Sequence, residues 1–298
     1  MKTGVIIARF QTPYLHQGHQ KLIGEVMQQH AKLIIVLGVS PLTGSRKNPY
    51  DYYTREKMIK LNFPNVIVLP VSDNPSDAIW SDNLDNLLKG VFPNEQFCLY
   101  GSRDSFIPYY TGRFETIELP EHGDYNATEL RKQYADKVFD STDFRAGILY
   151  ALYNQYTKVY PTVDIAMFRN NRSEILLGKK SINNKWRFVG GFADPEDADY
   201  ESAARRELME ECGEMEVGSM TYETSRKIND WRYRSEADKI ITLLFSCDHI
   251  SGLPKAQDDI IDLDWFKLAD LPQMIAQGQT SPEHLELFTF IINKYNKN

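Results

Sequence analysis

Val5-Ile6-Ile7-Ala8-Arg9-Phe10-Gln11-Thr12-Pro13-Tyr14-Leu15-His16-Gln17-Gly18-His19-Gln20-Lys21-Leu22 is the stretch whose reading decides the first half of the chain. Its apolar run, Val5 to Ala8, has the pattern of a strand buried on both faces. The run breaks at Arg9 into a segment carrying Pro13, after which helical spacing begins. The loop therefore feeds a helix N-terminus, where unpaired backbone N–H groups and partial positive charge favour an anion. His16 and His19 bracket Gly18, which has no side chain to hold a phosphate off the backbone, and both imidazoles can donate hydrogen bonds to it. The pattern predicts phosphoryl chemistry at residues 9–19.

Working outward, strand-like runs at 4–8, 33–38, 66–71, 97–100 and 116–119 alternate with helical stretches near 20–29, 55–61 and 77–89. Such alternation predicts an α/β unit with a parallel sheet and crossover helices, its ligands lying beyond the carboxyl ends of the strands. Leu22, Ile23, Val26 and Met27 share one face of the first helix and should anchor it. Phe144, Ile148, Leu149 and Leu152 are spaced for one apolar face of a later helix, and Thr54 reads as a helix cap. Residues 157–162, with Pro161, interrupt the pattern, so two domains are expected, 1–157 and 158–298.

The second half opens with strand alternation at 163–168 and 174–180 around Arg169-Asn170-Asn171-Arg172, a hairpin signal. Trp186-Arg187-Phe188-Val189-Gly190-Gly191-Phe192 and a polar loop then lead to a helix over 200–212. On that helix Glu207, Glu210 and Glu211 stand at i, i+3 and i+4, so three carboxylates face one volume. Converging carboxylates repel unless cations intervene, and hard oxygen ligands select Mg²⁺ or Mn²⁺, which would neutralise a pyrophosphate and activate water. The plainer alternative is a solvated acidic face partnered by Arg205 and Arg206. Further on, Trp231 could stack on a base, Arg232 and Arg234 could hold phosphates, and Glu236 is a candidate general base.

These motifs carry two resemblances. Arg9-Phe10-Gln11-Thr12-Pro13 with His16-Gln17-Gly18-His19 resembles the opening motif of the HxGH nucleotidylyltransferases, especially nicotinamide mononucleotide (NMN) adenylyltransferases. Four later stretches fit the same family. Asn48-Pro49-Tyr50, running on to Arg55, and Trp80 resemble its nicotinamide-side residues, and Gly101-Ser102-Arg103-Asp104 resembles its nucleotide-binding stretch. Asn126-Ala127-Thr128-Glu129-Leu130-Arg131 resembles its second signature, with Tyr125-Asn126 in place of Ile-Ser. There Asn126 or Thr128 would cap a helix and Arg131 would face the triphosphate. The string from Gly190 and Gly191 to Gly213 resembles the Nudix box, in a loop one residue longer than usual, so that Glu196 or Asp197 stands for the first glutamate.

Together the resemblances imply a bifunctional NMN adenylyltransferase/Nudix hydrolase: a Rossmann-like doubly wound parallel sheet followed by an α+β Nudix fold. The substrates implied are ATP, NMN and ADP-ribose. His16, His19, Arg131, Glu207 and Glu211 would be catalytic, Glu207, Glu210 and Glu211 would hold the metal, and Arg9, Phe10, Gln11, Gly18, Asn48, Arg55, Trp80, Gly101, Arg103, Asp104, Asn126, Thr128, Gly190, Gly191, Trp231, Arg232 and Arg234 would contact substrate. Two other readings stay open: an adenylyltransferase with a flavin or pantetheine acceptor, and a Nudix module that senses ADP-ribose or NAD without hydrolysis.

Composition sets the outer bounds. A net charge of −7 argues against a general nucleic-acid binder, and 42% hydrophobic residues suit globular cores. No apolar run reaches the roughly 20 residues of a membrane span, and the chain starts on a strand rather than a leader, so a cytoplasmic protein is expected, a homo-oligomer remaining open. Cys98, Cys212 and Cys247 lack metal-ligand spacing and read as reduced, buried thiols.

Overall fold

The computed structural model describes residues 2–42, 44–102, 105–121, 123, 125–182 and 184–295. They fold as two units, Met1–Gln155 and Tyr156–Asn298, the chain dividing two residues before the break read from Pro161. All three cysteines are buried and free. Among the described residues no helix is long and apolar enough to cross a membrane.

In the first unit the strands are β1 (Thr3–Ala8), β2 (Leu33–Val39), β3 (Ile67–Ser72), β4 (Phe97–Gly101) and β5 (Glu115–Glu118). They pair in parallel in the order β3-β2-β1-β4-β5, a Rossmann-like sheet. Val5, Ile6, Ile34, Ile35, Val36 and Leu99 are wholly buried, as a sheet covered on both faces requires. The helices are α1 (Gln17–Gln29), α2 (Tyr52–Asn62), α3 (Asp77–Val91), α4 (Ala127–Ala135) and α5 (Thr142–Tyr153). Helix α1 buries Leu22, Ile23 and Val26, whereas Met27, expected beside them, is 43% exposed because it lies beyond the edge of that stripe. Of the apolar face read into α5, Ile148, Leu149 and Leu152 are exposed and Phe144 is half-buried.

Strand order reverses about β1, so the crevice at the carboxyl ends of β1 and β4 is the ligand position of such a sheet, and residues 9–16 fall there. Arg55 braces that loop. Only 2% exposed, it donates through Nε to the Asp51 carbonyl (3.0 Å) and through Nη1 to the carbonyls of Arg9 (2.8 Å) and Gly38 (3.0 Å). The cap of α2 is Asp51, which accepts from the Thr54 N–H at 2.7 Å, so Thr54 is the capped residue rather than the cap.

The second unit is a mixed sheet of β6 (Val159–Arg169), β7 (Glu174–Lys180), β10 (Thr221–Ile228), β11 (Lys239–Ser251) and β12 (Ile260–Lys267), in the order β10-β11-β6-β7-β12. Short β8 (Trp186–Arg187) pairs with β7 and β9 (Glu216–Val217) with β11. Pro161 lies inside β6 near its start, so the strand begins four residues before the Val163 read from the pattern. The β6–β7 hairpin turns through Asn170, Asn171 and Arg172, all at left-handed φ of 52°, 53° and 59°. Helix α6 (Tyr200–Cys212) packs on one side of the sheet, where Ala203 and Ala204 allow close approach to Val163, Ile165 and Val189. Helix α7 (Leu271–Ala276) and helix α8 (Leu285–Tyr295) cover the other side, α8 through Leu287, Phe288 and Ile291. The unit is an α+β sandwich.

Arg55→Leu should strand three carbonyls in the first unit and lower its stability by about 2–5 kcal/mol. Urea unfolding read by a probe in that unit measures this, and an unchanged midpoint would remove the bracing role.

Candidate functional site

At the carboxyl end of β1, His16 closes the N-terminus of α1, its Nδ1 accepting from the His19 N–H at 3.3 Å. An accepting Nδ1 carries no proton, so neutral His16 bears its proton on Nε2, the atom left to donate. The His19 ring stacks on it with centroids 3.5 Å apart, Tyr125 lies on it at 4.4 Å, and Phe10 meets His19 edge-on at 4.5 Å. Burial, followed by the neighbouring His16, pushes the His19 imidazole down to about 3, and burial lowers His16 as well. Both rings are therefore neutral near pH 7 and can serve an anion only as N–H donors. His19 Nδ1 is buried without a hydrogen-bond partner among the described residues.

Positive charge comes from α4. Asn126 caps that helix, its Oδ1 accepting from the N–H groups of Thr128 (2.9 Å) and Glu129 (3.2 Å). Thr128 is not the cap; its hydroxyl accepts from Arg131 Nη2 at 3.0 Å, while Arg131 Nη1 donates to the Gln11 carbonyl, also at 3.0 Å. The loop after β1 thus carries the α1 terminus and the Arg131 guanidinium together.

Several residues expected at the substrate also build this frame. Arg55 is the buried brace already described, with its donors on carbonyls. The Gln11 amide is spent on the backbone N–H and C=O of Tyr50, both at 3.0 Å, because it ties two loops together. Phe10 is 5% exposed and belongs to the core, at φ 45°. Gly101 is buried at the end of β4, where a Cβ would crowd Ser105. Arg9 pairs with Asp73 at 2.8 Å, and half-buried Trp80 packs at 5.9 Å from Phe106. Asn48 keeps a buried Oδ1 with no partner among the described residues. Arg103 and Asp104 lie outside the described residues.

The second unit holds a cavity of about 970 Å³ lined by Gly190, Gly191, Glu207, Glu210 and Glu211, among others. Gly190 has φ 142°, and a Cβ there would collide with the Val163 carbonyl; a Cβ on Gly191 would collide with the Glu207 carboxylate. The two glycines therefore let α6 and β6 approach the backbone. Glu211, 2% exposed, accepts from the Gly190 N–H at 2.6 Å and pairs with Lys180 at 2.9 Å. Burial pushes its carboxyl up to about 7 against the opposing pull of Lys180. Burial also raises Glu207, which pairs with Arg206 at 2.8 Å; Glu210, 53% exposed, meets the same guanidinium at 3.0 Å.

The three glutamates share a wall, yet among the described residues no three acidic, histidine or cysteine side chains are grouped closely enough to hold an ion. Glu207 and Glu210 sit on Arg206 and Glu211 on Lys180, so each carboxylate has a cationic partner. Asp197, not Glu196, bridges to Arg206, receiving Nε at 3.0 Å and Nη2 at 2.9 Å, and those bonds hold its carboxyl down at about 2. Trp231 and Arg232 line the cavity, with Arg232 paired to Asp230 at 2.9 Å. Arg234 is turned away, its Nε on Asn229 at 3.0 Å, and exposed Glu236 does not line the cavity.

Sequence reasoning missed a buried polar floor in the same cavity, formed by Asp164 on β6, Arg187 on β8 and His284 in the turn Pro282–His284. That turn is laced to β8: Trp186 N–H donates to the Gln279 carbonyl (2.9 Å) and Ser281 N–H to the Trp186 carbonyl (2.8 Å). Lone residues 23 and 97 positions from Arg187 give no spacing signal.

Residues 159–288 match the family described as NUDIX domain. A nicotinamide-nucleotide adenylyltransferase of Caldivirga maquilingensis is 26% identical over 141 residues, 44% of this chain and 76% of that protein. A bifunctional NMN adenylyltransferase/ADP ribose pyrophosphatase from Francisella tularensis, solved with AMP and a Mn ion, aligns over 98% of this chain and 99% of its own at 20% identity and TM-score 0.42. The NUDIX domain of Shewanella oneidensis NrtR, solved with ADP ribose, aligns over 49% of this chain and 97% of its own at 21% identity and TM-score 0.39.

Because the folded protein holds Glu211's proton more tightly than the unfolded chain, with about 7 against 4.5, stability should fall as pH rises through that window. Glu211→Gln should remove a dependence on the order of 3 kcal/mol. Unfolding midpoints of both proteins from pH 4.5 to 7.5 in chelator test this, and parallel curves would refute it.

Proposed function

We propose that this chain, with NUDIX-family sequence at residues 159–288, is a two-site enzyme of nicotinamide nucleotide metabolism. The first unit transfers the adenylyl group of ATP to NMN, and the second hydrolyses ADP-ribose to AMP and ribose 5-phosphate. The name of the Caldivirga relative supports the first activity. What carries the first assignment structurally is the HxGH stretch at the N-terminus of α1, in the crevice where strand order reverses. What carries the second is Glu211, buried on the Gly190 N–H beside an open cavity.

In adenylyl transfer an oxygen of the NMN 5′-phosphate attacks the α-phosphorus of ATP. The bond from that phosphorus to the bridging oxygen of the β-phosphate breaks, and pyrophosphate leaves as NAD forms. His16 donates through Nε2–H, the α1 backbone through its free N–H groups, and Arg131 adds full charge where negative charge grows. Neutral imidazoles suit this role, because no proton has to move to the protein. Asn48, whose buried Oδ1 has no partner among the described residues, and half-buried Trp80 would meet the nicotinamide.

In hydrolysis water attacks one phosphorus of ADP-ribose and the P–O–P bridge breaks. The Glu207, Glu210 and Glu211 side chains offer oxygen donors only, which fits a hard divalent cation, and a buried carboxyl pushed up to about 7 is one that gains from such a partner. A bound Mg²⁺ or Mn²⁺ would supply charge for the diphosphate and acidify water. Glu211 is held in place by Gly190, Asp197 steadies Arg206 at the head of the wall, and Trp231 offers a face for adenine.

Purified protein given ATP, NMN and ADP-ribose with Mg²⁺ should yield NAD, pyrophosphate, AMP and ribose 5-phosphate. His19→Ala should cut NAD formation at least about 100-fold and spare hydrolysis, and Glu211→Gln should do the reverse. Joint loss in a folded variant would contradict two separate sites. Because Arg206 and Lys180 already hold the glutamates, a second reading has support: binding of ADP-ribose without cleavage. ADP-ribose recovered intact after saturating the protein with Mg²⁺ present would establish it.

A further inference from the structure

The floor of the second unit's cavity has a use that the diphosphate chemistry does not claim. Arg187 Nη2 lies 2.7 Å from His284 Nε2. A guanidinium only donates, so Nε2 is the acceptor and the proton of neutral His284 sits on Nδ1. His284 is 1% exposed and lines the cavity, yet its Nδ1 has no hydrogen-bond partner among the described residues; neither does buried Arg187 Nε. Two N–H donors of this floor are thus buried without a partner.

Asp164 supplies the matching acceptor. Its Oδ2 takes the Thr242 hydroxyl at 2.5 Å, and its Oδ1 stands 3.6 Å from His284 Nδ1. That separation is too long for a direct hydrogen bond. It suits one hydroxyl oxygen seated beside both, accepting from Nδ1–H and donating to Oδ1. Arg187 Nε–H, likewise without a partner among the described residues, is left for a second oxygen. Asp164 answers the Arg187 guanidinium, and Lys180 of the same cavity is already held by Glu211 and Asp259, so the trio pairs donors with an acceptor as a neutral hydroxylated group requires.

We infer that Asp164, Arg187 and His284 form a subsite for the vicinal diol of a pentose attached to the diphosphate. The inference rests on the hydrolase reading above and deepens it. Both the terminal ribose and the nucleoside ribose of ADP-ribose carry such a diol.

The test compares binding of ribose 5-phosphate with 2-deoxyribose 5-phosphate, and of AMP with 2′-deoxy-AMP, by calorimetry. Wild-type protein is used first, so that folding of a variant is not at issue. ADP-ribose cleavage is followed in parallel. Loss of one hydroxyl should weaken one of the two pairs at least about tenfold, and Arg187→Met and Asp164→Asn should erase that preference. A preference in the first pair places the terminal ribose on the floor; one in the second places the nucleoside there. Equal affinities within both pairs, or a preference that survives both substitutions, would overturn the subsite. If ADP-ribose is cleaved without any preference, the subsite fails and the hydrolase reading stands. A preference without cleavage leaves the subsite and removes the hydrolase reading.

Discussion

A carboxylate kept from water needs a partner, and in the second unit the partner of Glu211 is the backbone N–H of Gly190. That bond of 2.6 Å decides how close α6 comes to the strand segment beside β6, since any side chain at Gly190 would strike the Val163 carbonyl. The small Ala203 and Ala204 complete the close approach from the helix side. The cost of burying the charge shows in the raised carboxyl of Glu211, which Lys180 only partly offsets. The cavity wall is therefore under electrostatic tension before any ligand arrives.

The first unit handles negative charge by other means. Its two imidazoles, His16 buried and His19 half-buried, are stacked and neutral, so they present directed N–H groups where the second unit presents charge. The frame around them serves to hold them: Arg55 of α2 and Gln11 and Phe10 of the loop after β1 spend their polar or apolar groups on the protein itself. Arg131 reaches that loop from a helix more than a hundred residues away in sequence. A rigid frame with few free donors is what electrostatic catalysis of phosphoryl transfer asks for, because donors that are already oriented need not reorganise as charge moves.

The fold was largely legible in the chain. Period-two and continuous apolar runs located the central strands, and the Asn-rich turn located the β6–β7 hairpin, because these signals are local. Edges misled where neighbours decided the outcome, as at Met27 and at Pro161 inside β6. For the site, the positions at the head of α1, at Gly190 and Gly191 and along α6 could be read directly, since helix ends and helical spacing are properties of the sequence. What a side chain does once there could not. Arg55 and Gln11 carry groups suited to a ligand, and only the tertiary contacts show those groups already spent.

The sequence by itself determined where strand gives way to loop and helix, and hence that phosphate-suited histidines and a run of glutamates stand at functional positions. Periodicity and capping act over a few residues and are written in their order. Only the tertiary structure decided that Arg206 and Lys180 share the glutamates, that Asp197 rather than Glu196 meets Arg206, and that Asp164, Arg187 and His284 share a floor. Ion pairing and burial depend on distances across the fold between residues far apart in the chain, and such distances exist only once β6, β8 and the turn before α8 have packed.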